Sequence, residues 1–218
     1  MNFDDILMGY KFKASFPYIE RMNLLDVGCG TGHFIHLLNK QFPDEHFYGL
    51  DQDCEKVKIA RKHVKGSFYC VEFEQAKYRE EWGTVTSFNV LEHVVNEDVF
   101  LEECHKSLEY GGRLILTVPN ATALHKRIGD RMGLTKPYKL TYADLEKGHR
   151  RVYDMAMLEK SLKVHGFDIV AIKGVFLKPL PSDMMMQFYS PELFDALYQV
   201  GKELSEYCSS ILVVGEKR

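Results

Sequence analysis

No two cysteines in this chain stand in C-x-x-C spacing, and the five present (Cys29, Cys54, Cys70, Cys104, Cys208) are odd in number. That argues against both a zinc knuckle and a disulfide framework, and it suits a reducing compartment, the cytoplasm. No apolar run approaches the roughly 20 residues that cross a bilayer, so no membrane association is expected. The opening MNFDDILMGYKFK carries acids where a secretory leader would be apolar. Excess positive charge is missing too. With a formal net charge of −3, the chain generates no field that would recruit long nucleic acid or an anionic membrane. Internal repeats and low-complexity tracts are absent. What is there, 45% apolar and 27% charged residues in 218, is the balance of one compact domain spanning 1–218.

Short apolar runs alternate with amphipathic stretches, the pattern of βαβ units in an α/β fold with a parallel sheet. Asn23–Val27 is the first strand and ends in glycines. Gly32–Phe42 is a helix stopped by Pro43, and His46–Leu50 is the second strand, closing on Asp51. Asp53 caps a helix to His63 with Val57, Ile59 and Ala60 inward. Ser67–Val71 and Thr84–Val90 are further strands. Glu97–Tyr110 is a helix capped by Gly111–Gly112, and Gly112–Val118 is a fifth strand. Beyond Pro119 the chain is less regular. Asp154 caps a helix to His165, Phe167–Leu177 and Ile211–Gly215 are strands, and Pro191 opens a late helix.

The most informative stretch is Leu24-Leu25-Asp26-Val27-Gly28-Cys29-Gly30-Thr31-Gly32-His33. Glycines at alternate positions after a buried strand remove Cβ atoms where a ligand must approach the backbone. A loop at the carboxyl end of the first strand puts that ligand in the crevice of a doubly wound sheet. Asp51, ending the next strand, is placed to bond ribose hydroxyls. A dinucleotide fingerprint would need a small residue at His33, and Gly32 falls one place too early. Asp26 would repel a diphosphate and suits a ligand with a free ammonium and a sulfonium.

These residues resemble motif I of the class I S-adenosylmethionine-dependent methyltransferases. The likeness continues through Gly49-Leu50-Asp51, Asn89-Val90-Leu91-Glu92-His93 and Gly111-Gly112-Arg113-Leu114-Ile115. It implies a Rossmann-like, doubly wound, three-layer α/β/α fold with a seven-stranded sheet, parallel except for one antiparallel strand, Ile211–Gly215. It also implies S-adenosylmethionine as cofactor. The turn carrying Asp26, Gly28, Gly30 and Gly32 would hold the amino-acid part and Asp51 the ribose. Glu72 with Phe73, flanked by Gln52, would lie near adenine, and Asn89 would close the cofactor site.

Methyl transfer is an in-line displacement on an already activated sulfonium, so the protein must align a nucleophile and remove its proton. Glu92, His93 and His149 are the candidates, expected at the carboxyl rim of the sheet, with His149 as general base and His93 orienting or sharing the role. The plainer account makes Glu92–His93 a helix-start pair and His149 an exposed loop residue. The resemblance extends to ubiquinone-pathway and small-RNA 2′-O-methyltransferases that hold a divalent metal on Glu-x-x-Glu-His plus a later His. Here Asn89 replaces the first carboxylate, which weakens a site for a hard cation, so metal-independent catalysis is the reading.

Substrate recognition falls to segments outside the sheet: the N-terminal stretch (Met8, Tyr10, Phe12) and caps at about 120–151 and 178–207. The first cap holds Lys126, Arg127, Arg131, Lys136, Lys139, Arg150 and Arg151. These residues either close over an acidic or sugar-like small molecule or form a solvated surface. Met184-Met185-Met186 with Phe188 and Tyr189 is a pocket wall, a homodimer contact or satellite core. Oxygen is the favoured acceptor. The alternatives are N-methylation of a small molecule and RNA ribose methylation. An NAD-dependent oxidoreductase and a non-catalytic cofactor-binding subunit rank below these.

Overall fold

The computed structural model describes residues 2–218. A capping box between Asn2 and Asp5 starts α1 (Phe3–Ser15). β1 (Leu24–Val27), α2 (His33–Gln41), β2 (Tyr48–Asp51), α3 (Cys54–His63), β3 (Ser67–Cys70) and a one-turn α4 (Phe73–Ala76) follow. β4 (Trp82–Phe88), α5 (Glu97–Ser107) and β5 (Leu108–Pro119) complete the regular part. The remainder runs α6 (Leu124–Arg131), α7 (Tyr142–Glu146), α8 (Met155–Val164), β6 (Phe167–Val175), α9 (Ser182–Gln187), α10 (Pro191–Glu203) and β7 (Ser210–Lys217).

One seven-stranded sheet has the order β3-β2-β1-β4-β5-β7-β6. β7 runs antiparallel to both β5 and β6, and the other pairings are parallel. Side chains alternate across it. Ile115, Leu212 and Val214 join α1, α2, α3 and α10 in one core. Leu114, Leu116, Ile211 and Val213 join α4, α5 and α8 in the other. Both faces are covered, which is why β1 and β4 read as continuous apolar or small-residue runs, buried throughout. The fold is the expected Rossmann-like, three-layer α/β/α arrangement. The sheet order reverses between β1 and β4, so the turns after these strands, Gly28–Gly32 and Asn89–His93, open on one crevice.

Several expectations need correction. The helix expected to Tyr110 stops at Ser107, because Leu108 pairs with Trp82 and begins β5. The register then resumes at Thr84↔Arg113, and Gly111, at φ 70°, serves that bulge instead of a helix cap. Ile59 is 48% exposed, since Val57 and Ala60 suffice to seat α3. Cys54 and Cys70 are disulfide-bonded, Cα–Cα 5.1 Å, because the start of α3 and the end of β3 lie side by side; a separation of 16 residues gives no hint of that. The second cap is partly a layer of the fold, with Phe194 and Tyr198 of α10 in the core. Met185 is buried and Met186 packs against it, so the methionine run is largely satellite core. Among the described residues no helix is long and apolar enough to cross a membrane.

Candidate active site

The glycine turn is built by backbone geometry. Gly28, Gly30 and Gly32 have φ of 75°, 54° and 81°, a region that costs an L-side chain about 1–2 kcal/mol. A Cβ on Gly28 would also strike Val90, so β1's turn packs directly on β4's. Gly28 and Cys29 donate their amides to the Leu50 carbonyl (2.8 and 3.0 Å), and Gly30 donates to Asp51 Oδ2 (2.9 Å). The Asp53 amide takes Asp51 Oδ1 at 2.8 Å. Asp51 is thereby held at the mouth of the turn, and a carboxylate's four lone-pair sites leave it capacity for a further donor. Asp26 is 3% exposed and accepts Thr86 Oγ1 at 2.8 Å. Burial pushes its carboxyl up to about 7 against the Thr86 hydrogen bond, with Asp51 adding to the rise.

Gln52 and Glu72 are exposed. Glu72 accepts Gln75 Nε2 at 2.5 Å. Phe73 goes elsewhere: its ring is buried against Phe100, centroids 5.5 Å apart, and belongs to the core. Asn89, at φ 57°, uses its side-chain oxygen internally, accepting Thr117 Oγ1 (3.0 Å) and Lys11 Nζ (2.7 Å).

Across the crevice, Glu92, His93 and His149 come together, with one ligand atom from each lying within 4.8 Å of the others. His93 and His149 meet edge to face at 4.8 Å, and His93 Nε2 is 3.9 Å from Glu92 Oε1. Glu92 is 1% exposed, and neither of its oxygens has a hydrogen-bond partner among the described residues. Burial raises its carboxyl above the usual range, and burial lowers His93. An unsatisfied buried acceptor costs about 1–3 kcal/mol, more when charged, so Glu92 does not serve stability.

The joining is done by residues that sequence reasoning put on the surface or passed over. Arg150 donates its amide to the Glu92 carbonyl (2.8 Å) and Nε to the His93 carbonyl (3.0 Å). Arg151 donates to the carbonyls of Leu91 (2.8 Å) and Val95 (3.0 Å). Two cationic cap residues are thus clamps on the turn after β4. Asp144 faces His149 Nδ1 at 3.4 Å. Burial alone would raise the Asp144 carboxyl, but His149, the Thr141 amide and hydroxyl and the Lys126 ammonium outweigh it and hold it well below the carboxylate range. The one signal for Asp144 was Thr141-x-x-Asp144, a capping box that α7 uses. Lys11, fully buried, carried no signal beyond its place between Tyr10 and Phe12.

A profile of a methyltransferase domain matches residues 11–172, a span holding the glycine turn, Asp51 and the Glu92–His93–His149 cluster. The chain belongs to the class I S-adenosylmethionine-dependent methyltransferases. This methyltransferase is similar to the mitochondrial ubiquinone biosynthesis O-methyltransferase of Rattus norvegicus, 32% identical over 123 residues, covering 51% of this chain and 34% of that protein. It is also similar to the ubiquinone biosynthesis O-methyltransferase of Rhizobium rhizogenes, 27% identical over 168 residues, 74% of this chain and 66% of the relative. It therefore spans between a third and two thirds of the length of these relatives. An S-adenosylmethionine-dependent methyltransferase from Mesorhizobium loti shares the fold, with a TM-score of 0.67 at 16% identity over 97% of this chain and 100% of that one. The cofactor of this methyltransferase is S-adenosylmethionine.

If Asp144 sets the His149 ring, Asp144→Asn should cut turnover by roughly 10–100-fold, the usual loss on removing a carboxylate behind a working histidine. S-adenosylhomocysteine affinity should stay unchanged, because the Asp144 carboxylate bonds only Thr141, Lys126 and His149 and none of the glycine turn. Calorimetric titration beside initial rates checks both.

Proposed function

We propose that this methyltransferase moves the methyl group of S-adenosylmethionine to a hydroxyl oxygen of a small molecule, at the cluster of Glu92, His93 and His149. The observation that carries this reading is the buried Glu92 carboxylate, unsatisfied at both oxygens beside two imidazoles. A sulfonium is already activated, and an amine acceptor needs only a desolvated pocket. A hydroxyl needs a base or a Lewis acid, and this cluster supplies the means for either. The names of the curated relatives, O-methyltransferases, favour the same acceptor.

The donors fit a divalent cation. One carboxylate and two imidazoles are a mixed set suited to a transition metal, and neither Glu92 oxygen accepts a hydrogen bond among the described residues. The sequence argued against a metal because Asn89 lacks a carboxylate, but that argument assumed Asn89 would be a ligand, whereas its oxygen accepts from Lys11 and Thr117. A cation bound there would supply Lewis acidity toward the acceptor oxygen. The chain's own residues do the rest. Asp144 favours the His149 tautomer with the proton on Nδ1, leaving Nε2 free to ligate or to take the acceptor's proton. Asp26 and Asp51 would hold the cofactor's ammonium and ribose at the turn after β1.

Incubation with methyl-labelled S-adenosylmethionine and a panel of small phenols, alcohols and amines tests the reading. The expected result is label on oxygen, abolished by exhaustive chelation and restored by Mn²⁺, Mg²⁺ or Zn²⁺. Label on nitrogen alone would overturn oxygen as acceptor. Full activity after chelation would remove the cation and leave His149 as the base.

A further inference from the structure

Four lysines from separate segments gather at the flank of the Glu92 cluster, and two of them are answered by acids. Lys147 Nζ lies 3.0 Å from Asp4 Oδ2, and Lys126 Nζ lies 3.9 Å from Asp144 Oδ2. Lys11 and Lys178 are different: among the described residues neither forms an ion pair. Lys11, 2% exposed, donates to the neutral oxygen of Asn89. Lys178, half-buried on the segment after β6, donates to Ser182 Oγ at 2.8 Å and sits 4.9 Å above the Phe3 ring. His125, whose amide donates to the Lys178 carbonyl at 3.1 Å, is held neutral by burial.

Burial pushes both ammonium groups down, Lys178 to about 8. Glu92 and Asp4 act back on Lys11, and Asp4 and Asp183 on Lys178, all from beyond ion-pair contact. Each lysine feels other cations as well: Lys147 and Lys178 oppose the charge on Lys11, and Lys147 and Lys126 that on Lys178. Lysine is almost never buried without a partner, because stripping water from an ammonium is expensive unless an anion replaces it. Two such groups within electrostatic reach of one another, one bonded to Asn89 at the start of the turn after β4, have no anion in contact.

We propose that Lys11 and Lys178 form a subsite for an anionic oxygen group on the methyl acceptor, a carboxylate or a phosphate, held beside the Glu92–His93–His149 cluster. The acceptor class is then a small hydroxy acid or a phosphorylated alcohol, bound by its charged end while its hydroxyl faces the cofactor's methyl. This rests on the methyltransferase reading of the same crevice. Phe3 and Lys11 both come from α1, so binding the anion would also seat that helix over the site.

The probes are benzoate, phenyl phosphate and the neutral isostere benzamide, titrated by calorimetry at pH 7 into the protein alone and saturated with S-adenosylhomocysteine. At least one anion is expected to bind tenfold or more tighter than benzamide, and which of the two does so distinguishes carboxylate from phosphate. Lys178→Gln and Lys11→Gln should each remove that preference. Lys178→Gln should also leave S-adenosylhomocysteine affinity within twofold. Should Lys11→Gln fail to fold, the half-buried Lys178 carries the test alone. Equal binding of anions and benzamide, or a Lys178→Gln variant that keeps the preference, overturns the subsite. A protein that keeps the preference yet binds no S-adenosylhomocysteine overturns the methyltransferase reading instead.

Discussion

Glu92→Gln should lower methyl transfer to a hydroxyl acceptor by at least about 100-fold, with affinity for S-adenosylhomocysteine unchanged. The substitution keeps shape and volume and removes only the charge. Glu92 is the sole anion of the three-residue cluster, and neither of its oxygens is engaged elsewhere. A cation held by two neutral imidazoles and an amide loses its main electrostatic anchor, and losing even an outer residue of such a site costs 10–100-fold. Manganese titration read beside turnover gives the check. The fold should not suffer: an amide is cheaper to bury than a charge, so thermal stability should hold or rise slightly. Retained activity and retained metal affinity in Glu92→Gln would sink the proposed chemistry.

The second large effect concerns the cofactor and pH. Asp26 has its carboxyl pushed up to about 7 by burial. In the proposed binding mode the cofactor's ammonium stabilises the ionised form of Asp26, so the bound state has the lower pKa and binding must expel a proton whenever Asp26 starts protonated. S-adenosylhomocysteine affinity should therefore be flat above about pH 7 and fall below it, by at most about tenfold per unit. Between pH 7 and pH 5 that amounts to roughly 100-fold. Asp26→Asn should bind weakly at pH 8 and show no such slope, which separates Asp26 from Glu92 and His93, both also shifted by burial. An unchanged slope in Asp26→Asn would mean that another group titrates.

Much of this protein was legible before any fold was drawn. Periodicity and caps placed α3 from Asp53 and α8 from Asp154, and both aspartates do cap as expected. Asp26, the three glycines and Asp51 could be named because they lie at or just past the carboxyl ends of β1 and β2, and strand ends in a doubly wound sheet meet at one crevice. What failed, failed locally. Gly111–Gly112 suits a helix cap and a strand bulge equally well, and only pairing with β4 chooses between them.

The chain alone determined the family and the alternation of strands and helices through β5, because those depend on short stretches where a few residues act on their own neighbours. Only the tertiary structure assembled the proposed acceptor end. Lys11, Asn89, Glu92, Asp144, His149 and Lys178 come from distant segments, and their charges acquire meaning only when burial strips their water. Arg151 looks like a solvated cation until its guanidinium is seen on the Leu91 and Val95 carbonyls. Lys178 looks like one until its missing carboxylate is noticed. Periodicity records which face of an element is apolar, but it does not record which buried charge will find a partner.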